Sequence, residues 1–219
     1  MQLPAHVRRW CTLVDTLLAD ALFPPTARAG RVRTRGTLPL HIRTEVRSGR
    51  DVIILSTYKD PHISEAVCAL KFDKDEAAAQ LLARLLDDFL YEELADRHHL
   101  YSEKIACVPI PLGEKRLVER GKNQIDRILE QSQALRDAEV PIAHLLVRTR
   151  DTSVQSTLSK QARYANIADA FAVSSTHTPF PYKTVYLIDD VVSTGATMNE
   201  AARTLEASGL RVLALAIAG

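Results

Sequence analysis

Cysteine is scarce and scattered. Cys11, Cys68 and Cys107 are the three in 219 residues, an odd number too widely spaced for a disulfide framework or a thiolate metal knuckle. They read as small buried hydrophobes in a reducing compartment. No run of about 18 apolar residues is available to span a bilayer, and no leader pattern opens the chain. The expectation is a cytoplasmic protein, neither secreted nor inserted in a membrane. Net charge is nearly absent as well: 28 Lys+Arg against 27 Asp+Glu leave +1, which alone argues for neither a nucleic-acid nor a membrane partner. The standard nucleotide loops G-x-x-x-x-G-K-[ST] and G-x-G-x-x-G do not occur. No Ser/His/Asp or Cys/His constellation suggests a covalent nucleophile. The histidines (His6, His41, His62, His98, His99, His144, His177) show no ligand spacing, and His98-His99 reads as a solvated pair. Internal repeats and low-complexity stretches are lacking too.

What is present is ordinary in amount and uneven in arrangement. The chain is 46% hydrophobic and 25% charged, values typical of a soluble globular protein. Its length suits one domain with an appendage. Residues 1–50 carry a formal +6 and residues 51–104 a formal −6, so a basic front end lies beside an acidic segment. We therefore divide the chain into an N-terminal helix and basic segment (1–50) and a main domain (51–219).

Hydrophobic periodicity predicts a helix over 5–22, with Val7, Cys11, Val14, Leu17, Leu18 and Ala21 on one stripe. Phe23-Pro24-Pro25 ends it, and 26–36 reads as irregular. A strand is predicted over 52–58 and helices over 63–72 and 75–93, the latter with a polar break at Asp87-Asp88. The second half alternates: strand 105–110, helix 124–135, strand 145–148, helix 160–170, strand 184–188, helix 197–208 and strand 212–217. A near-continuous apolar strand such as 184–188 is buried on both faces, and strands alternating with helices indicate a doubly wound α/β fold with a mostly parallel sheet.

The chemistry concentrates in Val185-Tyr186-Leu187-Ile188-Asp189-Asp190-Val191-Val192-Ser193-Thr194-Gly195-Ala196-Thr197. A buried strand brings two adjacent carboxylates to its carboxyl end, where open α/β sheets bind ligands. Small residues then turn into a helix whose N-terminal N–H groups and dipole favour a phosphate. Ser193, Thr194 and Thr197 add hydroxyl donors, and Gly195 permits close approach of the backbone. The carboxylates would repel a phosphate beside them, but they suit sugar hydroxyls a few ångströms away. The predicted ligand is a ribose 5-phosphate group. A solvated turn or a helix cap is the plainer explanation of Asp189-Asp190, and the sequence around the pair argues against it.

This stretch resembles the 5-phosphoribosyl 1-pyrophosphate (PRPP) motif of type I phosphoribosyltransferases. The resemblance implies that Asp189 and Asp190 hold the ribose hydroxyls and that Val192, Ser193, Thr194, Gly195, Ala196 and Thr197 form the 5-phosphate loop. Further motifs are similar to those of the ComF family, named for a competence protein. They are Val108-Pro109-Ile110-Pro111-Leu112 with Arg116 and Arg120-Gly121-Lys122-Asn123-Gln124, then Arg148-Thr149-Arg150-Asp151-Thr152 with Gln155, Leu158, Arg163, Asn166 and Ala170-Phe171. Leu22-Phe23-Pro24-Pro25, Tyr58 and Leu70-Lys71-Phe72 fall in the same order. The match spans roughly residues 13–217. It implies a type I phosphoribosyltransferase-like fold with an N-terminal helical and β hood, binding of PRPP with Mg²⁺ held mainly through PRPP and in part through Asp189 and Asp190, and transfer of the phosphoribosyl group to a nitrogen nucleophile with release of pyrophosphate.

The same resemblance places Pro111, Leu112, Arg116 and Arg120 on the pyrophosphate side, and Arg150, Gln155 and Arg163 on a loop that closes over PRPP. Arg116 and Arg120 are spaced i,i+4 and share a face if helical. Arg163 and Asn166 fit a structural role equally well. Lys115 reads as solvated, Tyr58 as a packing residue, and Asn199 and Glu200 as surface. Two departures from the family pattern matter. No cysteine lies in 26–36, where the family usually carries a four-cysteine zinc ribbon, so no zinc is expected. Lys122 stands where Phe is usual. An alternative reading is a PRPP-binding accessory factor without turnover, acting on single-stranded DNA and with competence proteins during natural transformation. Arg28, Arg31, Arg33, Arg35, Arg43, Arg47 and Arg50 would neutralise phosphates. The same arginines would also serve to cover the acidic segment.

Overall fold

A strand buried on both faces needs a partner on either side and helices above and below it, and the segment around Tyr186 has all four. The computed structural model describes residues 30–100, 104–150, 167–174 and 180–219. In chain order these form β1 (Arg43–Arg47), β2 (Arg50–Ser56), α1 (Pro61–Cys68), a π-helical turn (Ala69–Asp73), α2 (Glu76–Leu100), β3 (Ile105–Pro109), α3 (Glu114–Arg120), α4 (Gln124–Gln131), α5 (Gln133–Asp137), β4 (Leu146–Arg148), β5 (Phe171–Val173), β6 (Thr184–Val191), α6 (Ala196–Glu206) and β7 (Arg211–Ala218). The main sheet has the order β1-β2-β7-β6-β3. Strands β2, β7, β6 and β3 are parallel, and β1 pairs antiparallel with β2 at the edge. A separate antiparallel ribbon joins β4 to β5.

The two-residue period of a strand divides the core into two halves. Tyr186 and Ile188 face a cluster with Leu82, Leu86, Ile125 and Leu129 from α2 and α4. Val185 and Leu187 face Phe171, Met198, Ala201 and Leu205, beneath α6 and β5. The result is an α/β sheet covered on both faces, as the alternation predicts.

Local chemistry explains most boundaries. Asp60 caps α1 by accepting from the His62 and Ile63 N–H groups, with Pro61 in the first turn. The helix predicted over 124–135 is broken at Ser132, which is extended at ψ 123° and caps α5 through the Leu135 N–H. Asp87 drives that break. Rather than interrupting a face, it is buried and accepts from the Ser132 hydroxyl and from the Gln133 and Ala134 N–H groups. Strands β1 and β5 are not anticipated by periodicity. In β1 the partly buried positions are Arg43, Glu45 and Arg47, charged where an apolar alternation would be sought. The division expected after residue 50 falls at the turn of the β1–β2 hairpin, whose two strands share the main sheet. The helix expected over 5–22 lies outside the described residues, as does 160–166 of that expected over 160–170, whose remaining residues leave the helix in a turn after Ile167.

Candidate functional site

Strand β6 runs three residues beyond the predicted 184–188, through both carboxylates to Val191. Neither is in a solvated turn. Asp190 is 8% exposed and shares the strand face of Tyr186 and Ile188. There one carboxylate oxygen accepts from Lys71 Nζ at 2.9 Å and the other from Gln124 Nε2 at 2.8 Å. Burial opposes its ionisation, but the Lys71 and Arg120 charges hold it below the usual carboxylate range. Asp189 shares the opposite face with Val185 and Leu187 and accepts from the Asp190 N–H at 2.9 Å. Desolvation and the neighbouring Asp190 charge push it up to about 7, against the pull of Lys71 and Arg148. Two adjacent carboxylates thus have opposite environments, one clamped by cations and one left protonatable.

After β6 the chain is tied back by the Val192 N–H, which donates to the Ala218 carbonyl at 2.9 Å. Ser193 and Thr194 follow, and Gly195, at φ +81°, is the N-cap of α6. Ala196, buried, and Thr197, half-buried, begin the helix. Gly195 is required twice over. Its φ is left-handed, and a Cβ there would lie 2.5 Å from Arg47 Cβ. The contact is with the β1–β2 turn, where Arg47 Nη1 donates to the Ser193 carbonyl at 2.8 Å and Ser48 Oγ to the Thr194 carbonyl at 2.6 Å.

Pro111 and Leu112 are half-buried on the loop after β3. That loop is anchored by the Ile110 N–H to the Ile188 carbonyl (3.0 Å) and by Asn123 Nδ2 to the Ile110 carbonyl (2.8 Å). Arg116 and Arg120 are helical, in α3, and half-buried. Desolvation lowers the Arg120 guanidinium's affinity for its proton, and Asp190, Arg116 and Asp189 are among the charges acting on it. Of the predicted pyrophosphate side, Arg120 is thus near enough to the carboxylate pair for their charges to interact. Lys115 faces Glu119 on the exposed side of α3, and Lys122 is exposed and paired with Glu130. Arg150 is exposed, with its guanidinium on the Ala168 carbonyl. Gln155, Arg163 and Asn166 lie outside the described residues.

Several site residues escape a reading of residue types. Lys71 and Gln124 lie in matched motifs, but nothing in the sequence says that both grip Asp190. Tyr58 packs against α1, its hydroxyl 3.8 Å from Cys68 Sγ. Burial raises its pKa well above the ordinary tyrosine value, and Cys68 and Asp190 act the same way. Arg148, over the Phe171 ring at 5.3 Å, acts on Asp189. Asn199 and Glu200, expected at the surface, are not. Asn199 is half-buried and accepts from Arg50. Glu200 is buried and holds the Asp169 N–H at 2.8 Å together with Arg203, which ties α6 to the turn before β5.

Among the described residues no group of three or more His, Cys, Asp or Glu side chains can hold a metal ion. Asp189 offers oxygen ligands of the type magnesium prefers, and the remaining ligands would have to come from a bound phosphate or sugar and from water. Most of the described front-end arginines, Arg35 apart, lie on carboxylates: Arg31 on Glu65, Arg33 on Asp75, Arg43 and Arg47 on Glu45, and Arg50 on Glu206. No helix among the described residues is long and apolar enough to cross a membrane.

No protein-family model matches the chain. Among curated proteins, it is 32% identical over 160 residues to Competence protein F of Haemophilus influenzae, covering 73% of this chain and 68% of that protein. It is 31% identical over 150 residues to DNA utilization protein YhgH of Escherichia coli, covering 68% and 63%. Competence protein ComFC of Streptococcus pneumoniae is 31% identical over 142 residues, covering 64% and 56%. The chain thus spans between 56% and 68% of the length of these relatives. Solved structures similar to it include an orotate phosphoribosyltransferase from Aeropyrum pernix, at 14% identity and TM-score 0.34 over 84% of this chain and 76% of that one. Another is an adenine phosphoribosyltransferase from Leishmania tarentolae, at 16% identity and TM-score 0.32 over 59% and 55%.

Proposed function

The chain belongs to the ComF family, and from that premise we propose that it binds PRPP at the carboxyl end of β6 and transfers the phosphoribosyl group to a nitrogen nucleophile, releasing pyrophosphate. One observation carries the reading. The two carboxylates lie near the end of a central parallel strand, followed by a small-residue turn into a helix N-terminus and close enough to Arg120 for its charge to act on them. In this reading phosphate, sugar and diphosphate would follow one another across the carboxyl end of the sheet.

In this reading the 5-phosphate lies on Val192 to Thr197, where backbone N–H groups and hydroxyls replace its water. The ribose hydroxyls donate to Asp189 and Asp190. Asp190 retains acceptor capacity beyond its bonds to Lys71 and Gln124, because a carboxylate has about four lone-pair sites. The diphosphate faces Arg116 and Arg120 beside Pro111 and Leu112, where guanidinium forks match phosphate oxygens. Asp189 would hold magnesium jointly with the ligand, and the ion supplies charge neutralisation of the leaving diphosphate. The nitrogen attacks C1 as the C1–O bond to pyrophosphate breaks, with inversion. The chain's own contribution is positioning and electrostatics. Arg150, Gln155 and Arg163 belong to the segment that would cover the ligand and exclude water.

A second reading keeps the ligand and drops the turnover: a PRPP-binding accessory factor in the handling of single-stranded DNA. It is favoured by the names of the relatives, two competence proteins and a DNA utilization protein. Titration calorimetry with PRPP, with and without Mg²⁺, tests the site. Magnesium-dependent binding by the wild type is expected, with its loss in the Asp189→Asn/Asp190→Asn variant. Undiminished binding by a folded variant would sink the assignment. Pyrophosphate release in the presence of candidate amines separates the two readings.

A further inference from the structure

A trans peptide is planar, so its C=O and the N–H that follows point in opposite directions. Whatever holds a loop's carbonyls on one side therefore sets its N–H groups on the other. In the turn between β6 and α6, two successive carbonyls are held in this way, and both by the β1–β2 turn. Arg47 Nη1 donates to the Ser193 carbonyl at 2.8 Å, and Ser48 Oγ donates to the Thr194 carbonyl at 2.6 Å. The Thr194 and Gly195 N–H groups are thereby turned away from the hairpin. They precede the first N–H groups of α6, of which the Ala196 N–H reaches the Thr194 hydroxyl at 3.4 Å, and a run of successive N–H groups of this kind is what cradles an anion.

Three further features show that the hairpin is built against this loop. Gly195 leaves no room for a side chain, since its Cβ would stand 2.5 Å from Arg47 Cβ and 3.1 Å from the Arg47 carbonyl carbon. Ser48 has a left-handed backbone, φ +54°, followed by Gly49 at φ +79°. A non-glycine residue in that region is retained where the surroundings determine it, and here its hydroxyl is used on the neighbouring loop. Glu45 pairs with Arg47, and Arg50 reaches past the loop to Asn199 and Glu206 on α6, so the hairpin also grips the helix that the loop begins.

We propose that Arg47 and Ser48 are positioning residues for a phosphate monoester. They hold the Ser193 and Thr194 peptides so that the loop's N–H groups converge on the anion before it arrives. This deepens the reading above and rests on it, because it takes Val192 to Thr197 to be the 5-phosphate cradle. Preorganised donors bind an anion without the cost of ordering the loop at the moment of binding. The hairpin's contribution should therefore appear in affinity for the phosphate end of the ligand and not for its diphosphate end.

The test uses two probes and three variants on the full chain. Ribose 5-phosphate carries the phosphate monoester and the sugar hydroxyls but no diphosphate, and inorganic pyrophosphate is the probe of the other arm. Affinities for both are measured by calorimetry on wild type, Ser48→Gly, Arg47→Gln and Arg47→Lys, alongside melting curves. Ser48→Gly relieves the left-handed backbone while deleting the hydroxyl, so it should melt no lower than wild type. It should nevertheless bind ribose 5-phosphate about tenfold more weakly, the value of one oriented hydrogen bond. Arg47→Gln should lose at least as much and Arg47→Lys less, with pyrophosphate affinity unchanged in all three. Wild-type affinity for ribose 5-phosphate in the folded Ser48→Gly and Arg47→Gln variants overturns the hairpin's role and leaves the site intact. Loss of both probes in parallel also overturns it, because the effect would then be general. A wild type that binds pyrophosphate and no ribose 5-phosphate removes the cradle itself, and the proposal falls with that reading.

Discussion

Asp189 and Asp190 are neighbours in sequence and opposites in circumstance. Strand alternation turns Asp190 toward Lys71 and Gln124 and leaves Asp189 on the other face, desolvated and beside a fixed negative charge. A carboxyl whose folded pKa is raised to about 7 from an unfolded value near 4 disfavours the ionised folded protein. Its cost is absent below about pH 4, grows as pH rises toward 7, and is constant above that. Asp189→Asn is therefore expected to melt several degrees above wild type at pH 8 and at the same temperature at pH 3.5, measured without ligand. Equal melting at pH 8 would mean that Asp189 is better solvated than its position implies. Asp190 has the reverse sign: its folded pKa is depressed, so the stability it contributes is present above the unfolded value and is lost as pH falls through the folded one.

At the scale of elements, the β1–β2 hairpin and α6 act as one unit. Gly195 is where they touch, and it combines a left-handed backbone with an approach too close for any side chain. Gly195→Ala should cost about 1–3 kcal/mol from backbone strain alone, more if the hairpin is displaced, read as a lower urea midpoint. A midpoint equal to wild type would show that the turn relaxes freely. Such a result would also weaken the case for a preset phosphate loop. The π-helical turn after α1 is a second unit of this kind. It places Lys71 against Asp190 and ends at Lys74 in a left-handed conformation, and such turns recur at functional sites.

Across the whole molecule, the near-zero net charge results from compensation between segments distant in sequence. Among the described residues, much of the basic front end is paired: Arg31 and Arg33 lie on Glu65 and Asp75 of the acidic segment, and Arg50 on Glu206. A guanidinium already paired releases few counterions on meeting a nucleic acid. The salt dependence of binding to an unstructured oligothymidine should therefore be shallow, well below the slope of about four that several neutralised phosphates would give. Fluorescence anisotropy across a salt series checks this. A steep slope that disappears on replacing Arg31 and Arg33 by serine would show that DNA displaces the internal carboxylates.

The apolar run Val185–Ile188, the carboxylate pair behind it and the small residues into α6 are local signals, each legible because a single strand, turn or helix start dictates its own composition. The same holds for the α/β alternation and for the Asp60–Pro61 start of α1. What the sequence could not disclose are the contacts between segments far apart along the chain. Lys71 and Gln124 reach Asp190 across 119 and 66 residues, and Arg47 and Ser48 reach Ser193 and Thr194 across 146. Strand β1 has no apolar signature because its inward side is charged, and its partners, the Gly219 carbonyl and the loop after β6, exist only once the sheet has formed. Residue types and spacing determined where the carboxylate pair and the small-residue turn stand along the chain. The tertiary structure decided which carboxylate is clamped, which arginines are paired and what holds the carbonyls of the loop after β6, because those depend on charges and peptide dipoles brought within a few ångströms by packing alone.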